Sequence, residues 1–258
     1  MLTGQQLQSI MPSTPAARRD ALLPFLQAAM TEFAIETPAR VAAFVAQLAH
    51  ESGQFRFMEE IWGPTPAQGR YEPASTLAAT LGNTETGDGK RYKGRGPIQI
   101  TGRANYKRFG DLLGIDLVSD PARAARPELA FRIAGLFWSK KGLSELADRA
   151  TDEAFREITR RINGGFNGLE DRRKFYAAAC TVLGVEETIT RGAPRTQPEA
   201  GDEPTFDRGA EAIRKHARRR GTAATKKKKP AKKQPKRKNP VKRKTARKAA
   251  RSTKRRAR

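Results

Sequence analysis

Cysteine and histidine are nearly absent from the chain, which has one Cys and two His in 258 residues. A single cysteine excludes an intrachain disulfide. Cys180 also sits in the apolar run AAACTVLGV, which marks a buried thiol rather than a nucleophile. His50 and His216 lie far apart in the chain and form no cluster with ligand spacing, so neither a metal site nor any other cofactor is expected. Long hydrophobic runs are missing too, and none approaches the roughly 20 apolar residues of a membrane span. The opening MLTGQQLQSIMP has no basic segment followed by an apolar core, and LLPFLQAAM at Leu22–Met30 is too short and too late for a signal peptide. The expectation is synthesis in the cytoplasm, with any export depending on another protein.

The longest stretch without acidic residues is at the C-terminal end. From Arg214 to Arg258 there are 24 Lys and Arg and no Asp or Glu, so the net charge of +24 lies wholly in that tail and the preceding body is balanced. The pI near 10.8 reports an appendage, not a basic fold. After residue 185 the composition turns to EETITRGAPRTQPEAGDEP, rich in Pro, Gly and acid. From Lys226 onward it is Lys, Arg, Ala and Pro without aromatic residues, which cannot offset ordering entropy by burial. The expected organisation is a folded domain over 1–185, a linker over 186–211 and a disordered basic tail over 212–258. The tail reads as a ligand for polyanions, either envelope phosphates or nucleic acid without sequence preference.

What is present in the body is helical periodicity. Thr37-Pro38 is an N-cap followed by proline at the first helical position, and Val41, Phe44, Val45 and Leu48 form an apolar stripe that runs toward Gly53. Three more helices are expected over about Pro127–Lys141, from near Thr151, and over Asp171–Leu183. Extended signals are confined to Gln54–Glu60 and Pro97–Thr101. The body is therefore mostly α with a small β element.

Glu51 continues the apolar stripe three residues beyond Leu48. Burial there would disfavour the charged form and suit a proton donor, although a glutamate bonded to its own helix end fits the spacing as well. Two more acids follow in QFRFMEEIW. In an unbroken helix Glu60 would lie about 13.5 Å from Glu51 and on the opposite face. A break at Ser52-Gly53 and a returning segment could bring it within the roughly 6.5–9.5 Å that an inverting glycosidase leaves for a water molecule. Alternation puts Glu59 and Glu60 on opposite sides of that segment without choosing between them. With Ile98 and Ile100 packed inward, Gln99 and Thr101 would project from a short strand toward a ligand or plain solvent. GRG alone is no phosphate cradle, because it lacks both the P-loop lysine spacing and GxGxxG.

Three segments in order, AFVAQLAHESGQF, YKGRGPIQITGRANY and INGGFNGLEDRRKFY, resemble glycoside hydrolase family 19 over about Thr37 to Val185. The resemblance implies the two-lobed helical architecture of the lysozyme superfamily with a cleft between lobes. It implies Glu51 as general acid, Glu60 as the second carboxylate and Thr101 as a holder of the attacking water. Sugar-binding roles follow for Gln99, Asn105, Asn163 and Arg172. Plant members carry a glutamate four residues after the asparagine of INGG. Here that position is Asn167, so an ionic network from that acid through Arg172 to the catalytic acid would lack a member. The implied activity is single-displacement hydrolysis of β-1,4 bonds in polymers of N-acetylglucosamine, needing no cofactor. Peptidoglycan is favoured over chitin, in an endolysin-like monomer that acts on the wall once released. The alternatives are a lytic transglycosylase, which needs one acid, and a nucleic-acid-binding protein with an inactive hydrolase-like body.

Overall fold

A computed structural model describes residues 1–186; the linker and the basic tail lie outside the described residues. Eleven α-helices follow one another: α1 (Gly4–Ile10), α2 (Ala16–Glu32), α3 (Pro38–Ser52), α4 (Pro66–Gly69), α5 (Thr76–Leu81), α6 (Asp88–Arg91), α7 (Arg103–Leu113), α8 (Pro127–Lys140), α9 (Leu143–Ala147), α10 (Asp152–Asn163) and α11 (Leu169–Leu183). A short 3-10 turn, Pro121–Ala125, leads into α8. No helix among the described residues is long and apolar enough to cross a membrane.

The helix boundaries follow local chemistry. Thr37 caps α3 by accepting from the Arg40 amide, Thr151 caps α10 by accepting from Ala154, and Gly53 and Gly164 end the two helices in the left-handed region. α3 is more enclosed than a single stripe requires. Every residue from Val41 to Ser52 is buried, so α3 is a central helix rather than a surface one. It packs along α11 and touches α9, α2 lies against α8, and α1 bridges α2 and α11. Aromatic contacts tie these layers together: Phe44 meets Trp138 edge-on at 5.2 Å, and Phe155 of α10 stacks on Tyr176 of α11 at 4.1 Å. A separate small cluster of Tyr71, Leu77 and Leu81, with Trp62 against it, forms the core of a lesser lobe.

The two segments expected to be extended are not strands. Gly53, Gln54 and Phe55 share left-handed φ values of 58°, 59° and 59°, which turn the chain sharply back from the end of α3. Left-handed backbone is unfavourable for the two non-glycine residues. Their surroundings hold them there. The Ser52 hydroxyl accepts from the Phe55 amide at 2.7 Å, the Thr14 hydroxyl donates to the Gln54 carbonyl at 3.0 Å, and the fully buried Phe55 ring meets Phe131 at 5.3 Å. Pro97–Thr101 is likewise a turn closed by the Arg95–Ile100 pairing, with Gln99 at φ 56°. Glu59 pairs with Arg95, and these isolated bridges are all that the small β element amounts to among the described residues.

The junction between this turn and α7 is tightly constrained. Gly102 has φ +91°, and a Cβ there would come within 2.5 Å of the Leu81 carbonyl oxygen. Gly102→Ala therefore combines strain with a backbone collision. It should lower stability by about 2–3 kcal/mol in urea unfolding of the full chain.

Candidate active site

The polar residues that end α3 have no solvent to face, so they must be matched from within the fold. Arg172, fully buried on α11, meets the Glu51 carboxylate through Nη2 and the Gln47 side-chain carbonyl through Nη1. Gln47 in turn donates to the Thr159 hydroxyl of α10 at 2.9 Å. One residue away on each helix, His50 Nδ1 lies 2.8 Å from Asp171 Oδ2. The His50 ring presses on Gly168, where a Cβ would come within 2.2 Å of the ring's Cε1. Two parallel acid–base pairs thus fasten α3 to α11. The pair to Arg172 needs no glutamate at position 167, since Asn167 is exposed and Gln47 takes the other guanidinium nitrogen.

Glu51 was expected to owe its character to apolar surroundings. The structure gives it a guanidinium partner instead, which favours the carboxylate and opposes the effect of burial. Its side chain has 0% exposure, so any ligand reaches it only when neighbouring groups move.

A second group gathers around Gly94. Glu60 is 4% exposed, and its amide donates to the Gly94 carbonyl at 2.8 Å. The Gly94 amide donates to Glu60 Oε2 at 3.0 Å, and Gln68 Nε2 donates to Oε1 at 2.7 Å. Burial pushes the Glu60 carboxyl above the usual range, against the pull of these donors and of Lys93 and Arg95. Glu59 faces outward, its side chain 44% exposed and paired with Lys93 at 3.3 Å and Arg95 at 3.0 Å. Of the two neighbouring acids, Glu60 is the enclosed one.

Gln99 and Thr101 are buried beside this group rather than projecting from a strand. The Gln99 amide donates to the carbonyls of Phe57 at 3.1 Å and Gly96 at 2.8 Å, so its nitrogen is engaged by the protein and not held out for a sugar. Its carbonyl oxygen crowds Gly94, where a Cβ would approach within 2.6 Å. The Thr101 hydroxyl donates to the Gln99 carbonyl at 3.0 Å, and Asn105 Nδ2 donates to the Thr101 carbonyl at 2.7 Å. Asn163 is buried at the end of α10, just before the left-handed Gly164. Behind the cluster, the Tyr106 hydroxyl donates to the Lys93 carbonyl at 2.6 Å and accepts from Arg95 at 2.8 Å, and burial pushes its phenol upward.

Sequence reasoning missed His50, Asp171, Gln47 and Gln68. The first three occupy buried or helix-facing positions whose partners lie more than a hundred residues away. Gln68 had a local signal, since T-x-x-Q from Thr65 is a capping box.

Comparison with known proteins bears on these two groups. The family pattern described as chitinase class I matches residues 25–145, which include Glu51, Glu60, Gln99, Thr101 and Asn105. A glycosyl hydrolase family 19 domain-containing protein of Haemophilus influenzae is 37% identical over 160 residues, covering 53% of this chain and 76% of that protein. The chain belongs to glycoside hydrolase family 19. An endochitinase of Arabidopsis thaliana is 39% identical over 153 residues, and the chain spans 48% of its length, about half. Among solved structures, chitinase C of Streptomyces griseus superposes with a TM-score of 0.56 at 21% identity, covering 70% of this chain and 92% of that one. A class IV chitinase of Zea mays gives 0.53 at 26% identity, covering 72% and 94%. The fold is that of family 19, mostly helical and lysozyme-like.

Arg172 lies beyond the matched pattern, and its contact with Glu51 makes a direct prediction. Removing one member of a buried ion pair leaves the other charge uncompensated. Arg172→Met should lower unfolding free energy by about 3–5 kcal/mol in denaturant titration.

Proposed function

We propose that this protein is a glycoside hydrolase that cleaves β-1,4 bonds in N-acetylglucosamine-containing cell-wall polysaccharide by inversion. The observation that carries this reading is a pair of enclosed carboxylates, Glu51 and Glu60, held by different parts of a family 19 fold. Glu51 supplies a proton to the departing glycosidic oxygen. Glu60, ionised, takes a proton from a water molecule that the Thr101 hydroxyl helps to orient onto the opposite face of the sugar. Arg172 opposes protonation of Glu51 while the two touch, so the same movement that admits glycan must also loosen that contact. Asn105, Asn163 and Arg172 support the sugar-binding face, and Gln99 shapes it from behind through Gly94.

Peptidoglycan is the favoured substrate over chitin. The reasoning is electrostatic. A stretch from Arg214 to Arg258 with 24 basic and no acidic residues finds complementary charge on an anionic bacterial envelope and none on uncharged chitin. The same stretch would bind nucleic-acid phosphates without sequence preference, an interaction that weakens steeply with salt. A protein released to the wall by a separate agent fits this arrangement.

The decisive assay incubates purified protein with peptidoglycan and with chitin and reads product chemistry. Inversion gives α-anomeric reducing ends; anhydro-sugar ends would mean transglycosylation, and no products from either polymer would refute a glycosidase. Glu51→Gln should cut kcat by about 10²–10⁴-fold and, because it leaves the buried Arg172 charge uncompensated, also lower stability, so the rate is read on protein shown to be folded by circular dichroism.

Glu60 must be ionised to act as a base, and its carboxyl is pushed upward by burial. Activity should therefore rise with pH along an acidic limb of kcat/KM lying above the ordinary glutamate value of about 4.3. A pH–rate profile on soluble oligosaccharide checks this. A chain ending at residue 211 should keep that activity while its retention on a phosphate-bearing column falls to background.

A further inference from the structure

Gln68 is buried, with 4% exposure, on a four-residue helix that follows the loop after Glu60. Its side chain is fixed at both ends. The carbonyl oxygen accepts from the Thr65 amide at 2.9 Å and the Gly63 amide at 3.4 Å, which completes the capping box of α4. The opposite end, Nε2, donates to Glu60 Oε1 at 2.7 Å and to the Ile61 carbonyl at 3.0 Å. Because two backbone N–H groups hold the oxygen, the amide cannot rotate to offer it to Glu60. Glu60 meets only hydrogen-bond donors on this side.

We propose that Gln68 is a positioning residue for the reaction: it fixes the orientation of the Glu60 carboxylate and keeps it in the charged form that accepts a proton from water. The Gly94 amide does the same for the second oxygen, so each oxygen retains a lone pair for a water molecule. The proposal rests on Glu60 being the base of the reading above. The charged and titratable groups around Glu60 are Lys93 and Arg95, the Tyr106 phenol, and Glu59, which pairs with Lys93 and Arg95. The side-chain hydrogen bonds of Gln68 run to Glu60, Ile61, Gly63 and Thr65 and not to these groups.

Gln68→Glu isolates the effect. A glutamate at this position still accepts from the Thr65 and Gly63 amides, because Glu serves the capping box as Gln does. It places a second carboxyl oxygen where Nε2 was, so the two acids must share a proton. The full chain carrying Gln68→Glu should show its acidic limb of kcat/KM raised by about one pH unit or more and its high-pH plateau lowered, because the donor to Glu60 is gone and two ionised carboxylates then face each other. Gln68→Met, which removes the donor without adding charge, should raise the limb less and lower kcat. In the absence of substrate, carboxyl-carbon NMR of the same full chains should show the resonance lost in Glu60→Gln titrating at higher pH in Gln68→Glu. An unshifted Glu60 titration and limb in a folded Gln68→Glu protein overturns the proposal. If Gln68→Glu does not fold, an unshifted Glu60 titration in Gln68→Met overturns it instead. A shifted Glu60 titration in a protein that cleaves no glycan overturns the glycosidase reading and the reaction role with it, leaving only the contact by which Gln68 holds Glu60 in its charged form.

Discussion

A helix with no face to solvent sets the terms for everything around it. α3 is buried on all sides from Val41 to Ser52, yet its last two turns carry Gln47, His50, Glu51 and Ser52. Polar groups in that position are costly unless satisfied, and a charge is costlier still. The fold answers by bringing α11 and α10 alongside with Arg172, Asp171 and Thr159, while Ser52 donates to the Leu48 carbonyl and accepts from the Phe55 amide. The contacts that stabilise the helix are therefore the ones that place an acid at its end. Structure and candidate chemistry share the same atoms.

The two carboxylates are held in unlike ways. Glu51 meets side chains, above all a guanidinium, whose position depends on how two long helices pack. Glu60 meets a backbone amide and a carboxamide, both fixed by short-range turns. Side chains of a helix pair can shift together by a small sliding motion, whereas a turn closed by its own hydrogen bonds holds its geometry until it breaks. On the proposed reading, the acid that gives up a proton sits on the adjustable support and the acid that aims a water molecule sits on the rigid one.

The helices were legible because their signals are local: Thr37 and Thr151 as caps, and Gly53, Gly142 and Gly184 as stops. α11 begins at Leu169, two residues before the expected Asp171, with the left-handed Gly168 as the residue before it, packed against the His50 ring. The extended segments were misread for a physical reason. Alternation of Ile98, Gln99, Ile100 and Thr101 implies a strand only while every residue stays in the β region, and Gln99 does not. With the turn in place of the strand, all four side chains are buried and parity loses its meaning. Partners distant in sequence, such as Arg172 for Glu51, leave no trace in spacing. Parity left Glu59 and Glu60 open and only the resemblance favoured Glu60; the folded chain encloses Glu60 against Gly94 and leaves Glu59 exposed.

The lesser lobe is cheaply built. Its apolar centre is Tyr71, Leu77 and Leu81 with Trp62, and much of the rest is polar: Asn83 to the Tyr71 carbonyl, Arg103 to Asp88, and the Gly87 amide to Glu72. A unit with so little buried hydrocarbon gains less from burial than the α3–α11 centre does. The smaller lobe thus keeps its shape mainly through polar ties, while the larger body around α3 keeps its own through packed hydrocarbon.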